Sequence, residues 1–238
     1  MAPKPRIVIA WMLVCFAFGF SMAPQEDSRF LSYIVDPAHS DIRFYWKDDQ
    51  GQLLRSIQNL KLFVEKQGKQ LAFAMNGGMY KADNSPQGLF VQDNACLTPL
   101  DTLSGTGNFY LKPNGVFYLT VDGKAAICRT QDFLHSRQVK FATQSGPMLL
   151  IDGQMHPAFK QGSANLNIRN GVGILPDGKV IFAMSRQQVN FYDFAQFFKS
   201  MNCRNALYLD GFVSRTYLPE KAWKQVDGNF GVIIGVTE

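Results

Sequence analysis

Short apolar runs rich in Val, Ile, Phe and Tyr, bounded by Gly, Pro, Asn and Asp, recur along most of the chain. This pattern predicts short strands joined by tight turns. Because many of the runs are separated by Asp-Gly or Asn-Gly pairs, we expect mainly antiparallel pairing. The predicted strands are residues 30–35, 41–46, 71–75, 89–91, 109–111, 116–121, 125–129, 148–151, 172–175, 180–184, 206–209 and 232–236.

Apolar residues recur every three or four positions in two other segments, 52–67 and 190–201. This spacing is typical of one face of an α-helix. Gly68 follows the first segment in the usual C-terminal position, and Asn190 stands at the usual N-cap position of the second. The sequence therefore predicts an α+β fold, with a mainly antiparallel or mixed β-sheet core and two or three helices.

The first residues of the chain have a different pattern. Lys4 and Arg6 precede an uncharged apolar run at 7–20, which small residues follow. This order predicts a secretory signal peptide over residues 1–23, and hence an exported protein of the periplasm or the extracellular space. A permanent membrane anchor is the alternative, although the run is shorter than the roughly 20 residues that a spanning helix needs. Residues 24–238 are long enough for a single domain with its own core.

Charge is nearly balanced along the chain, with 24 Lys and Arg residues against 19 Asp and Glu residues. No basic stripe and no run of like charges stands out, so no nucleic-acid partner is expected. Contact with a membrane is expected only through the export signal.

Three cysteines follow the signal: Cys96, Cys128 and Cys203. Cys96 and Cys128 lie at the ends of predicted strands in the same β-rich region, so a disulfide between them is one open pairing in an oxidising compartment. Neither the cysteines nor the three histidines have metal-ligand spacing. We therefore predict no cofactor, with a divalent metal left as an open alternative.

Glycine-containing polar clusters lie at the ends of three predicted strands. Each alone is typical of a turn, and Asp-Gly also occurs at 122–123, 152–153, 177–178 and 227–228, so a plain hairpin turn competes with any chemical role. Together they offer an amide, two guanidiniums, a carboxylate and open backbone N–H groups, a set suited to an anionic ligand. The clusters are Asn76-Gly77-Gly78, Arg169-Asn170-Gly171, and Asp210-Gly211 followed by Ser214-Arg215.

The order of these motifs resembles the phosphodiester glycosidase family, which includes the enzyme that uncovers mannose 6-phosphate by removing N-acetylglucosamine. Within it the sequence is most similar to a bacterial exported branch, and the similarity spans residues 71–236. Phe212 and Val213 replace glycines that are common in the family, and Asn170 replaces a common Thr. The motifs are Asn-Gly-Gly-Met-Tyr at 76–80, Ser-Gly-Pro-Met-Leu-Leu at 145–150 with Asp-Gly following, Arg169 before Gly173, and Leu-Asp-Gly at 209–211 with Ser214.

The resemblance implies an exported hydrolase that acts on a glycosyl phosphodiester or a related envelope glycan, with a carbohydrate or glycosyl phosphate as its substrate. Asp210 is expected to be the nucleophile or the electrostatic stabiliser of an oxocarbenium-like state, with Arg169 and Asn76 as the other catalytic residues. The expected substrate-binding residues are Gly77, Gly78, Tyr80, Ser145, Gly146, Gly211, Ser214 and Arg215.

Several alternatives stay open from the sequence. Asp83 is the candidate for a second carboxylate, whereas Ser214 lacks the Gly-x-Ser-x-Gly elbow of a serine hydrolase. A non-catalytic envelope protein that binds anionic glycans would use the same residues. A cut on the phosphorus side would make the protein a phosphodiesterase, and that reaction usually requires metal.

Overall fold

The structure is a computed structural model that describes residues 27–210 and 213–238. Within these ranges the chain forms mostly β-strands, with two α-helices, α1 (Ile57–Lys66) and α2 (Phe191–Ser200). The strands are β1 (Phe30–Val35), β2 (Asp41–Tyr45), β3 (Leu71–Gly78), β4 (Phe90–Gln92), β5 (Ala95–Thr98), β6 (Gly115–Thr120), β7 (Ala125–Arg129), β8 (Val139–Ser145), β9 (Met148–Ile151), β10 (Gln154–Met155), β11 (Asn170–Ile174), β12 (Val180–Ser185), β13 (Ala206–Tyr208), β14 (Thr216–Leu218), β15 (Trp223–Lys224) and β16 (Val232–Thr237).

The strands form three sheets. One has six strands in the order β1-β12-β11-β13-β9-β10 and will be called sheet A. The second has five strands in the order β15-β14-β3-β16-β2 and will be called sheet B, and the third, sheet C, has the order β5-β4-β8-β6-β7. The strand pairs of the described chain run antiparallel. The predicted α+β class with mainly antiparallel sheet is therefore confirmed at this level.

One apolar core lies between the three sheets. Phe73 of sheet B, Phe117 of sheet C and Phe182 of sheet A belong to the same buried cluster. Phe182 contacts both other rings, with centroids 5.1 Å from Phe73 and 5.9 Å from Phe117. Aromatic rings bury large areas, so these contacts fix the sheets relative to one another.

Both predicted helices are present, and the first is shorter than expected. Ser56 caps α1 by accepting from Asn59 N at 3.1 Å. Residues 52–56, which were also predicted to be helical, lie before α1. They are not helical, because Leu53 pairs with Lys47 and Arg55 adopts a positive φ of 61°. Asn190 caps α2 as predicted, accepting from Asp193 N at 2.8 Å.

One predicted strand is absent, and strands β5, β8, β10, β14 and β15 were not predicted. Residues 109–111, expected to be a strand, lie largely in a short 3-10 helix at Asn108–Tyr110. Strand β8 was not predicted, because Gln144-Ser145-Gly146-Pro147 was interpreted as the turn that opens strand 148–151. Thr143, Gln144 and Ser145 are the last residues of β8. All three are buried, since β8 lies between β4 and β6. Ser145 thus ends a central strand instead of opening the next one.

The structure excludes the pairing of Cys96 with Cys128 that the sequence left open. Cys96 lies on β5 and Cys128 on β7, which are opposite edges of sheet C. Four strand spacings of about 4.8 Å separate these edges, far beyond the reach of a disulfide. Cys96, Cys128 and Cys203 are all free thiols.

None of the helices in the described ranges has the length and apolar character that a membrane span requires.

Candidate active site

The segment around Asp210 connects two sheets. Strand β13 before it pairs with β11 and β9 in sheet A, whereas β14 after it pairs with β3 and β15 in sheet B. A hairpin would pair β13 with β14, so the hairpin interpretation of Asp210-Gly211 was wrong. Asp210 therefore lies where the chain crosses from sheet A to sheet B.

Several strand ends meet at this crossing. The carboxyl ends of β3 and β13 and the start of β11 come together through hydrogen bonds of Asn170. Arg169 immediately precedes β11, and Ser145 at the end of β8 donates to Leu209 O at 2.6 Å. The structure thus brings the predicted residues Asn76, Arg169 and Asp210 to one region of the molecule.

Asn170 is the link that holds this crossing together. Its Nδ2 donates to Asn76 O at 2.8 Å and to Asn76 Oδ1 at 3.0 Å. Its Oδ1 accepts from Asp210 N at 2.9 Å, and its backbone oxygen accepts from Leu209 N at 3.1 Å. The sequence placed Asn170 in a polar cluster but did not identify it as a site residue, because Asn-Gly is typical of turns. Its fully buried side chain is a signal that only the fold provides.

Asn76 has one donor group without a partner. Its Oδ1 accepts from Asn170 Nδ2 and from Arg215 N, and because both partners are donors the orientation of the amide is fixed. In the described part of the chain, Nδ2 is buried and has no hydrogen-bond partner. Such a group costs roughly 1–3 kcal/mol unless something binds it. Buried groups of this kind are rare in native proteins, so this donor marks Asn76 as a candidate for ligand binding.

Asp210 is half-buried, and its backbone is held on both sides. Asn170 Oδ1 accepts from its N–H, and Ser214 Oγ donates to its carbonyl at 2.8 Å. The hydroxyls of Ser145 and Ser214, expected to bind substrate, thus bond backbone carbonyls next to and at Asp210. These contacts fix the position from which the carboxylate projects.

Two tyrosines lie within electrostatic range of Asp210. Burial raises the pKa of Tyr80, and the Asp210 charge raises it further. Burial also raises the pKa of Tyr208, with Arg169 opposing and Asp210 adding to the increase. Both phenols therefore stay protonated at neutral pH, and each has an O–H group that can donate a hydrogen bond.

Arg169 is a buried cation without a carboxylate partner in the described chain. Its Nε donates to Val189 O at 2.8 Å, Nη2 to Asn165 O at 2.8 Å, and Nη1 approaches Tyr208 Oη at 3.5 Å. Its guanidinium lies over Phe191, 3.6 Å from the ring centroid. Burial lowers its pKa, and Tyr208 partly offsets this. Arg169 has no solvent exposure, and its contact with Tyr208 connects it to the strand that precedes Asp210.

Arg215 has a different environment. Its Nε donates to both carboxylate oxygens of Asp227 at 2.9 Å, and its side chain is about one-third exposed. Its backbone N–H is the atom that contacts Asn76. The predicted role of its guanidinium in binding phosphate stays a prediction, and Asp227 would compete for that charge.

Three glycines of the site lie where a side chain would clash with neighbouring residues. A Cβ on Gly77 would lie 2.5 Å from Ile234 Cγ1, and one on Gly78 would lie 2.5 Å from Thr143 Oγ1. A Cβ on Gly146 would lie 2.6 Å from Asn114 Cβ. Close contact with neighbouring strands thus explains these three glycines. Gly211 and Phe212 lie outside the described residues.

Asp83, the candidate for a second carboxylate, lies in a surface turn. Asp83 is exposed, and its Oδ1 accepts from the backbone N–H and the hydroxyl of Ser85 in its own turn. These bonds lower its pKa. Within residues 27–210 and 213–238, no group of three or more His, Cys, Asp and Glu side chains is placed to hold a metal ion.

Comparisons with known proteins identify the family of the chain. The phosphodiester glycosidase family model matches residues 69–233. The uncharacterized protein YigE of Escherichia coli (strain K12) is 39% identical over 188 residues, which cover 79% of this chain and 73% of that protein.

Solved structures share the fold at low identity. The catalytic domain of zebrafish N-acetylglucosamine-1-phosphodiester alpha-N-acetylglucosaminidase, auto-inhibited by its pro-peptide, has a TM-score of 0.63 at 16% identity, covering 90% of this chain and 85% of that one. A putative exported protein of Burkholderia pseudomallei K96243 has a TM-score of 0.58 at 10% identity, covering 87% and 73%. The family match includes all the strand ends that meet at Asp210, and the chain belongs to the phosphodiester glycosidase family.

Proposed function

We propose that the chain is an exported hydrolase that cleaves a glycosyl phosphodiester, or a related envelope glycan such as an exopolysaccharide, between sugar C1 and the phosphate oxygen. Family membership supports the reaction class. The observation that carries the proposal is Asp210, a half-buried carboxylate whose backbone is held by Asn170 and Ser214 where two sheets meet. A fixed backbone limits the positions that this carboxylate can take, as catalysis requires.

Cleavage at C1 passes through a state with oxocarbenium character, which a carboxylate stabilises or attacks. Asp210 takes this role. The C1–O bond breaks with its electron pair on the phosphate oxygen, and the phosphate departs as a monoester. Because that monoester is a weak base, it needs neutralisation of charge more than a strong acid. Water supplies the new hydroxyl at C1, and its other proton goes to the departing phosphate or to solvent.

The neighbouring groups supply donors and positive charge. Asn76 Nδ2 would donate to a substrate oxygen, directly or through a bound water, and so gain the partner it lacks. The protonated Tyr80 phenol lies near Asp210 and is a second donor. Arg169 places a buried positive charge behind Tyr208, where it would offset the negative charge of the phosphate.

The substitution Asp210→Asn tests the assignment. With N-acetylglucosamine 1-(methyl phosphate) as the probe, we expect turnover to fall by about 10³-fold or more, because the charge that stabilises the transition state is lost. Asp177→Asn, at an exposed hairpin, is the matched control and should keep full turnover. Full activity in Asp210→Asn would exclude the proposed role. Binding of the diester by the unaltered chain with no product would favour a glycan-binding protein instead.

Export is supported by the pattern of residues 1–23. When the full chain is produced in a bacterial host, we expect a periplasmic or secreted form that lacks these residues. Mass spectrometry of the N-terminus measures this directly. An intact N-terminus on a cytoplasmic product would contradict export and would leave the proposed reaction unaffected.

A further inference from the structure

A cavity of about 360 Å³ lies at one end of sheet C, beside the start of β6 and the end of β7. Asn114 comes just before β6 and Thr130 just after β7, and Thr130 N donates to Asn114 O at 3.0 Å. This bond extends the pairing of the two strands and places both residues at the cavity. We call it the Asn114 cavity, and it is lined by Thr102, Lys112, Pro113, Asn114, Arg129, Thr130 and Gln131.

Asn114 offers the cavity a hydrogen-bond acceptor. Its Nδ2 donates to Phe109 O at 3.0 Å, and because a carbonyl only accepts, the orientation of the amide is fixed. The residue is only 4% exposed, yet its Oδ1 is not fully enclosed, and this atom accepts no hydrogen bond within residues 27–210 and 213–238. Buried polar groups are rarely left without a partner, so Oδ1 requires a donor from water or a ligand.

Thr130 offers the cavity a donor. The Oε1 atom of Gln144 accepts from Leu89 N at 3.0 Å and from Asp101 N at 2.9 Å, which fixes the orientation of this amide. Gln144 Nε2 is therefore the donor to Thr130 Oγ1 at 3.2 Å. Because the Thr130 oxygen accepts in this bond, its own proton is still available, and it has no acceptor in the described part of the chain. An unpaired acceptor and an unpaired donor thus lie on adjacent ends of β6 and β7.

The charged residues of the cavity are cations. Lys112 Nζ donates to Thr102 O at 3.2 Å, and no carboxylate of the described ranges pairs with it. Arg129 lies 3.8 Å from Asp132 and 3.5 Å from Asp152, so its charge is partly offset. A cationic ligand would be repelled by the unpaired Lys112.

The pair of open groups also disfavours an anion. A carboxylate or phosphate oxygen only accepts, so it would leave Asn114 Oδ1 without a donor and would be repelled by it. A hydroxyl group is neutral and can both donate to Asn114 and accept from Thr130. The lining side chains other than Pro113 are polar, which favours a ligand with several such groups.

We propose that the Asn114 cavity is a second, non-catalytic site that binds a sugar, through hydroxyls that donate to Asn114 Oδ1 and accept from Thr130 Oγ1. Its volume lies in the range of small-molecule sites, roughly 300–1,000 Å³. The inference goes beyond the proposed function, because it assigns binding without bond cleavage to a part of the molecule that Asp210 does not line.

NMR titration of the full chain, labelled with ¹⁵N, tests the proposal at the residues concerned. The probes are glucose, galactose, mannose and N-acetylglucosamine, with glycerol at equal concentration as the control polyol. We expect at least one sugar to shift the backbone amide signals of Asn114 and Thr130 until they saturate, and glycerol to shift neither. The absence of a saturable shift with all four sugars, or equal shifts with glycerol, would overturn the inference and leave water as the occupant.

Substitutions at Thr130 test the hydroxyl itself. In Thr130→Val, Gln144 Nε2 keeps Asp101 O as its acceptor at 2.6 Å, so we expect the fold to be retained. The Kd of the bound sugar should rise about fivefold, as the loss of one neutral hydrogen bond predicts, whereas Thr130→Ser should stay within about twofold. Thr237→Val makes the same change at an equally buried position of β16 and should leave the Kd unchanged.

An unchanged Kd in Thr130→Val, or the same rise in Thr130→Ser, would contradict the role of the hydroxyl. Because these measurements need no turnover, they also separate this inference from the proposed reaction. A chain that binds a sugar at Asn114 and cleaves no diester would support the cavity and contradict the reaction. A chain that cleaves the diester and shows no shift at Asn114 would do the reverse.

Discussion

Asp-Gly pairs serve two different purposes in this molecule. At Asp122, Asp152 and Asp177 the chain turns back between paired neighbours, and the glycine that follows each has a positive φ between 77° and 85°. At Asp210 the chain leaves sheet A and enters sheet B. Asp122 and Asp177 bond to residues near them in sequence, as Asp177 does with Lys179, whereas the exposed Asp152 also bonds Arg204 and Asn205 from further along the chain. The backbone of Asp210 is held from 40 residues away by Asn170.

The difference shows that a dipeptide defines a local bend but not the partners of the flanking strands. Those partners are set by packing between distant segments, here by the bonds of Asn170 to Asn76 and Asp210. An aspartate at a hairpin is exposed and replaceable, whereas one at a crossing is held by buried groups from two sheets. Substitutions at each kind of position should separate the two roles.

The largest expected effect on stability is at Asn170. Asn170→Ala removes the donor to Asn76 and the acceptor for Asp210 N, all in a fully buried position. We expect the free energy of unfolding to fall by about 2–4 kcal/mol, since each buried group left unsatisfied costs about 1–3 kcal/mol. Asp177→Ala, at a hairpin, should stay within the error of urea denaturation. Equal losses in the two variants would show that the crossing is no more constrained than a hairpin.

The sequence predicted those features that depend on local pattern. The hairpins at Asp122, Asp152 and Asp177, the Asn190 cap and most strands follow from turn chemistry and apolar spacing. Strand β8 was missed because burial of its polar residues depends on neighbours in sheet C that the pattern does not reveal.

The candidate site shows the same contrast between what local pattern predicts and what depends on distant contacts. Ordered motifs identified Asn76, Arg169 and Asp210, which the structure brings to one region. The role of Asn170 depends on bonds that span 94 residues to Asn76, and no local signal distinguishes it from a turn asparagine. The environments of Arg169 and Arg215 likewise differ only through tertiary contacts.

A smaller effect is expected when the two site arginines are each changed to lysine. Arg169→Lys loses the fork that bonds Val189 O, Asn165 O and Tyr208 in a buried place, so we expect a loss of about 2–3 kcal/mol in unfolding free energy. Arg215→Lys keeps a charge beside Asp227 on the surface, and the loss should be below about 1 kcal/mol. Urea denaturation of both variants measures the contrast, and a reversed order would contradict the buried role of Arg169.

The smallest effect concerns Asp41, a carboxylate with a structural role far along the chain from the crossing. Burial alone would raise its pKa, but hydrogen bonds from Lys69, Arg43 and Thr237 outweigh it and hold the pKa at about 2. Because the folded-state pKa lies below the ordinary value of 3.8, the stabilisation is fully present above about pH 4 and is lost as the pH falls towards 2.

Asp41→Asn should therefore lower Tm by about 2–4 °C at pH 7, the shift expected for about 1 kcal/mol in a domain of this size after allowance for partial exposure. The difference from the unaltered chain should be constant above about pH 4 and should shrink as the pH falls from 4 to 2 in thermal scans. Turnover at pH 7 should be unchanged, in contrast to Asp210→Asn. A Tm difference that stays constant with pH would mean that shape, and not the charge of Asp41, joins β2 to the end of β16.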